Sequence, residues 1–250
     1  MTRTKIPWAS HSWNPTSGCT PVSSGCDFCF AKDIATRFAR TPAYPHGFEV
    51  TINKKELANP HFPQRPAIIF TVSMGDLFHR DVSRGNIYDI LFDAKPCKEH
   101  QFVVFTKRPK RAVDILGDLL DIPPNLWLGV SAENQETLEQ RWKDLCQLTR
   151  LENRVLSLEP LLAPVDLSRI YPKPAWIITG GESGKHLYDV KTERGLVFYM
   201  GDGISNLWSP VPGKIEWLRH IRDWCACLEV PWFFKGYGGA AQNSSGHLLD

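Results

Sequence analysis

The sequence predicts an α/β chain, a complete or partial (β/α) TIM-like barrel, and three observations lead there. Short apolar runs recur along the chain, each gives way to polar or glycine residues, and segments of helical periodicity lie between them. Apolar strands alternating with helices are the pattern of a parallel sheet covered on its faces. At 250 residues and 42% hydrophobic content, the chain can bury such a core in a single domain spanning 1–250.

The strands are read at Ala67-Ile68-Ile69-Phe70-Thr71-Val72, Phe102-Val103-Val104-Phe105-Thr106, Leu126-Trp127-Leu128-Gly129-Val130, Val155-Leu156-Ser157-Leu158, Trp176-Ile177-Ile178-Thr179 and Val230-Pro231-Trp232-Phe233-Phe234. Helical periodicity places helices at 87–94, 110–120, 135–148 and 216–228. An earlier helix follows Cys29, where Ile34 and Phe38 repeat at helical spacing, and Thr41-Pro42 with Pro45-His46-Gly47 ends it. The opening Trp8-Ala9-Ser10-His11-Ser12-Trp13-Asn14-Pro15 reads as aromatic and turn-rich.

In a (β/α) barrel, functional side chains gather where the strands end. Those positions hold Ser73-Met74-Gly75-Asp76, Lys107-Arg108-Pro109, Ser131-Ala132-Glu133-Asn134, Glu159-Pro160, Gly180-Gly181-Glu182-Ser183-Gly184 and Lys235-Gly236. Loop caps and surface ion pairs account for any one of them. The set together reads as a rim of carboxylates, bases and glycines.

The chain is organised around Cys19, Cys26 and Cys29, spaced C-x6-C-x2-C ahead of the first helix. Thiolates suit zinc or iron–sulfur iron, and a structural zinc site takes four protein ligands where this loop offers three. A [4Fe–4S] cluster on three thiolates leaves one iron open to a small molecule. Zinc remains an alternative, with His11, His46, Cys97 or the Cys225 and Cys227 pair as fourth ligand, in a binding protein without radical chemistry. Three inert thiols are another. A metal-independent hydrolase using Glu159 and Glu182 as acid and base is a further reading.

Composition excludes several classes. The formal net charge of +2 carries no nucleic-acid signature, and no apolar run approaches the length of a membrane span. Seven cysteines and an N-terminus without a secretory signal fit a reducing cytoplasm, where close cysteines bind metal or do redox chemistry.

Six stretches in one order carry a resemblance: Trp13-Asn14-Pro15-Thr16-Ser17-Gly18-Cys19-Thr20-Pro21-Val22-Ser23, Gly75-Asp76-Leu77-Phe78, Phe105-Thr106-Lys107-Arg108-Pro109, Leu128-Gly129-Val130-Ser131, Leu156-Ser157-Leu158-Glu159-Pro160-Leu161-Leu162 and Gly180-Gly181-Glu182-Ser183-Gly184. Together they resemble a phage-associated, radical-SAM-like family known largely as phage proteins of unknown function. The resemblance implies a TIM-like barrel of the radical-SAM type, a [4Fe–4S] cluster and S-adenosyl-L-methionine. It implies Cys19, Cys26 and Cys29 as iron ligands, and Phe28, the aromatic in Cys26-Asp27-Phe28-Cys29, as a neighbour of the adenine. The first spacing is six residues where three are usual in that motif.

Further roles follow from the same resemblance. Ser73, Met74, Gly75 and Asp76 would receive the methionine amine, with Asp76 as its acceptor, and Ser131, Glu133 and Asn134 would contact the ribose. Gly180 and Gly181 would border the adenine, although Ala175 and Thr179 stand where glycines are usual. Glu159, Glu182 and Lys235 are candidates to position substrate or shuttle protons, and Lys107 and Arg108 to meet substrate phosphates. The implied reaction cleaves S-adenosylmethionine to a 5′-deoxyadenosyl radical, with the electron coming from a flavodoxin or ferredoxin. Phage association implies a nucleotide or DNA substrate in the host cytoplasm, modified or rearranged as a base or base adduct, an isomerase included. The connection at 185–216 is longer than the resemblance implies and reads as an insertion that shapes substrate access.

Overall fold

In the computed structural model, which describes residues 1–58, 60–94, 96–119, 121–188, 194–200 and 208–239, the apolar runs become strands and the periodic segments helices. In chain order the elements are β1 (Thr2–Arg3), β2 (His11–Trp13), β3 (Thr16–Ser17), α1 (Phe30–Arg37), β4 (Thr51–Ile52), α2 (Lys54–Ala58), β5 (Ile68–Thr71), α3 (Arg84–Ala94) and β6 (Gln101–Thr106). They continue as α4 (Pro109–Leu116), β7 (Leu126–Ser131), α5 (Gln135–Leu145), β8 (Asn153–Leu158), β9 (Trp176–Gly180), β10 (Val197–Tyr199), β11 (Trp208–Pro210), α6 (Lys214–Cys227) and β12 (Trp232–Gly236). In the main sheet β1, β2, β5, β6 and β7 are hydrogen-bonded neighbours in that order, and β9 neighbours β12.

The chain divides into two compact units, one of Met1–Val22, Ala31–Val130 and Arg141–Val155, the other of Ser23–Phe30, Ser131–Gln140 and Leu156–Asp250. In the first, β2 pairs parallel with β5, β5 with β6, and β6 with β7, while β1 lies antiparallel on β2. Parallel neighbours need crossover connections, and α3 and α4 follow β5 and β6 in that role. The unit's core includes Trp13, Ile69, Phe78, Ile87, Phe102 and Trp142, all buried. Trp13 shows why the turn-rich reading of 8–15 falls short: its ring is wholly buried edge-on to Phe62 and Phe102, and His11–Trp13 is a sheet strand. Three residues of mixed polarity are too short a run to show the alternation that marks a strand.

In the second unit β9 pairs parallel with β12, and β10 with β11 antiparallel. Leu218, Ile221 and Cys225 lie along one face of α6 and are buried. The helix ends differ from their sequence expectations for local reasons. Pro109 starts α4 because the first turn needs no N–H from it, and the helix closes at Leu116 before Gly117. The last strand begins at Trp232, because Pro231 has no N–H to give the ladder.

Candidate functional site

Within the first unit, the loop after β3 that carries Cys19 lies against the loop after β5. Gly18 N–H donates to the Met74 carbonyl at 2.9 Å, and Gly18 and Gly75 form a parallel bridge. The approach needs two glycines: Gly18 has φ +89° with the Glu49 carbonyl where a Cβ would stand, and a Cβ on Gly75 would lie 2.7 Å from the Gly18 oxygen. Asn14 secures the same loop, its Oδ1 accepting from the Ser73 hydroxyl at 3.2 Å and the Met74 N–H at 3.0 Å.

Asp76 is buried at the end of this loop with four donors on its carboxylate. Oδ1 accepts from Phe78 N at 3.0 Å and Thr106 Oγ1 at 2.7 Å, Oδ2 from Lys107 N at 3.1 Å and Arg108 Nη1 at 2.9 Å. A carboxylate has about four lone-pair sites. An amine could therefore reach Asp76 only by exchanging with one of these donors.

Arg108 turns inward instead of standing on an open rim. Its Nη1 also donates to Cys19 Sγ at 3.2 Å, and its Nη2 donates to the Thr20 carbonyl at 2.7 Å and the Thr20 hydroxyl at 3.0 Å. Burial opposes the guanidinium charge, but Asp76 and Cys19 outweigh it and hold Arg108 above its ordinary value. Behind Thr20 stands His79, which is 1% exposed. Its Nδ1 accepts from Asp81 N at 3.2 Å, so Nε2 carries the proton toward Thr20 Oγ1, 2.9 Å away. Burial first, and then Arg108, push the His79 imidazole below its usual value and keep it neutral.

Within the second unit, Cys26 ends a 3-10 turn at Ser24–Cys26, and Cys29 sits one residue before α1. Between them Phe28 stacks on His186, with ring centroids 3.6 Å apart and planes 7° from parallel. Arg194 collects this segment. Its Nη2 donates to the Ser24 carbonyl at 2.7 Å and its Nη1 to Asp27 Oδ2 at 3.1 Å, with the guanidinium carbon 5.1 Å from the Phe28 centroid. The same guanidinium forks onto Glu182, Nε to Oε2 and Nη2 to Oε1, both at 2.9 Å. Glu182 is 4% exposed and also contacts His186 Nε2 at 3.0 Å. Hydrogen bonding to Glu182 outweighs burial and holds Arg194 above its ordinary value. The sequence reading had Arg194 only within a polar stretch of the insertion at 185–216 and gave neither it nor His186 a role; residues 189–193 and 201–207 of that insertion lie outside the described residues.

Glu159 pairs with Lys235 across the ends of β8 and β12, Nζ to Oε1 at 2.7 Å, and accepts from the Ser157 hydroxyl at 3.2 Å. The β9 and β12 register shifts between Phe234 and Gly236, and such an irregularity re-aims the side chain at Lys235. Gly180 leaves room for Glu159, whose Oε1 would lie 3.0 Å from a Cβ there, and Gly181 lies against the Tyr237 carbonyl. Thr179, where the resemblance implied glycine, accepts from Trp232 Nε1 at 2.9 Å. Glu133 is fully buried, and its backbone accepts from Leu162 N. Asn134 spends its side chain on the start of α5, accepting from Thr137 N and Oγ1, both at 2.9 Å. Ser131 closes β7, half-buried.

None of the seven cysteines is in a disulfide. Cys19, Cys26 and Cys29 are partly exposed, whereas burial pushes the Cys225 thiol up to about 12. Among the described residues no three His, Cys, Asp or Glu side chains are gathered closely enough to hold a metal ion. The donor set nonetheless fits iron–sulfur chemistry: three accessible thiols within eleven residues, one of them accepting a hydrogen bond from Arg108.

Spore photoproduct lyase has a similar fold. Its structure complexed with dinucleoside spore photoproduct aligns with a TM-score of 0.55 at 9% identity, covering 96% of this chain and 78% of that one. A mutant of the same enzyme with dinucleoside spore photoproduct aligns at 0.54 and 9% over the same shares. This gives the fold class as α/β, a partial (β/α) TIM-like barrel. No curated protein sequence matches the chain. The pattern of one protein family, described as a protein of unknown function (DUF5131), matches residues 3–194.

Proposed function

The chain belongs to the DUF5131 family, whose description names no chemistry, and we propose that it is a radical S-adenosylmethionine enzyme acting on a nucleobase or base adduct. The observation that carries this reading is the loop of three accessible, unpaired-by-disulfide thiols leading into the first helix of a barrel of this type. Cys19, Cys26 and Cys29 would hold a [4Fe–4S] cluster. With S-adenosyl-L-methionine bound, that group would supply one-electron cleavage of the sulfonium and, through it, hydrogen abstraction from substrate.

The chain's own residues bind and orient. Ser73, Met74 and Gly75 offer backbone and hydroxyl groups to the methionine end, Ser131, Glu133 and Asn134 lie on the segment assigned to the ribose, and Phe28, Gly180 and Gly181 serve the adenine. Glu182 holds Arg194 and through it the C-x2-C segment. The Glu159–Lys235 pair offers a charged couple that can orient a substrate group or exchange a proton with it. Lys107 is assigned to substrate phosphates.

The neighbouring fold's ligand, a dinucleoside photoproduct, supports a nucleoside substrate. For phage DNA hypermodification the reaction would modify or rearrange a base adduct, as an isomerase does, in the host cytoplasm, where thiols stay reduced. A flavodoxin or ferredoxin would supply the electron. Among the described residues no helix is long and apolar enough to cross a membrane.

Anaerobic reconstitution with iron and sulfide tests the reading. It predicts about four irons per chain and reductant-dependent release of 5′-deoxyadenosine, both lost in the Cys19, Cys26 and Cys29 triple alanine variant. Stoichiometric zinc with no cluster and no cleavage would overturn it in favour of a zinc-stabilised binding protein.

A further inference from the structure

We propose that Arg108 sets the reduction potential of the cluster through Cys19, an inference that rests on the cluster reading above. The sequence placed Arg108 among phosphate-binding residues, yet its side chain is 15% exposed and its donors are spent on acceptors of the protein. Nη1 reaches both Cys19 Sγ and Asp76 Oδ2, at 3.2 and 2.9 Å. Nη2 reaches both oxygens of Thr20, the residue next to the thiol. Four acceptors on two nitrogens leave the guanidinium one orientation.

The surrounding residues hold that orientation. Asp76 is itself fixed by Phe78 N, Thr106 Oγ1 and Lys107 N, so it cannot swing away with the cation. Thr106 also accepts from Arg108 N at 2.9 Å, which fixes the backbone from which the side chain departs. His79 Nε2 holds the Thr20 hydroxyl from the other side. An ammonium has three donors on a single nitrogen and cannot serve all four acceptors from one position. The planar fork satisfies them together.

Reduction adds one electron, and so one negative charge, to a cluster whose thiolate ligands are already anionic. A cationic donor fixed on one ligand sulfur stabilises the reduced form more than the oxidised form, and hydrogen bonds to sulfur are among the levers that set such potentials. Arg108 therefore raises the potential, bringing a low-potential cluster within reach of its one-electron donor. The fork is short-ranged and partly buried, so salt screens it weakly.

The test is an EPR-monitored redox titration of the reconstituted protein with dithionite, without substrate. The variants are Arg108→Met, Arg108→Lys and the double variant Asp76→Asn with Arg108→Gln, which avoids a lone buried carboxylate. Iron and sulfide content is measured in each. Arg108→Met and the double variant are expected to load iron as the wild type does but to show a tenfold smaller reduced-to-oxidised ratio at a fixed potential, about 59 mV for one electron. Arg108→Lys is expected to fall between. An unchanged potential in loaded Arg108→Met and double variants overturns the tuning role while leaving the cluster reading intact. Loss of the cluster in both variants also overturns it, assigning Arg108 to cluster retention. A wild-type protein that loads no cluster overturns the underlying reading instead.

Discussion

Replacing Arg194 by methionine would leave the buried Glu182 without its forked partner and the Ser24 carbonyl and Asp27 without theirs. An unsatisfied buried acceptor costs about 1–3 kcal/mol, and urea unfolding should show a loss of that size. A purely structural role would stop there. Because Arg194 holds Ser24 and Asp27 on either side of Cys26, the variant should also lose reconstituted iron faster than the wild type on gel filtration, and Arg194→Lys should recover little of it. Retention of iron equal to wild type would limit Arg194 to stability. No periodicity or spacing marked this residue, since its partners lie 12, 167 and 170 positions away along the chain.

At the scale of elements, the approach of the β3 and β5 loops depends on the absence of side chains at Gly18 and Gly75. Gly75→Ala puts a carbon 2.7 Å from the Gly18 carbonyl oxygen, a backbone atom that cannot rotate away. Overpacking of this kind costs about 1–3 kcal/mol. The expected outcome is lower thermal stability together with weaker cluster loading, because the displaced backbone is the one that presents Cys19. An alanine variant with unchanged iron content and Tm would show that the loops can part without consequence. The elements themselves were largely legible, because strands at 68–71 and 101–106 and helices at 84–94 and 135–145 have long enough runs to display their period. The strand at His11–Trp13 was not, and its pairing with β1 and β5 identifies it.

For the whole molecule, a group that binds the folded chain and not the unfolded one raises the apparent stability. The reconstituted protein should therefore melt above the metal-free protein in an anaerobic scan, and the triple cysteine variant should show no such difference. Equal Tm values before and after loading of about four irons would mean that the loop binds its cluster without coupling to the fold.

The sequence by itself determined the α/β class, the order of strands and helices, the three-thiol loop and the rim positions at the strand ends. Those features are local: they depend on period, spacing and residue chemistry within short windows. The tertiary structure alone decided which donors meet which acceptors. It turned Arg108 from an open rim onto Cys19 and Asp76, spent Asn134 on a helix cap, separated Glu182 from the Glu159–Lys235 pair in bonding, and brought Arg194 to Asp27. A side chain's chemistry is written in the sequence. Its partner is settled by which distant segment folds against it, since a buried charge must find an opposite charge or hydrogen bond wherever the backbone brings one.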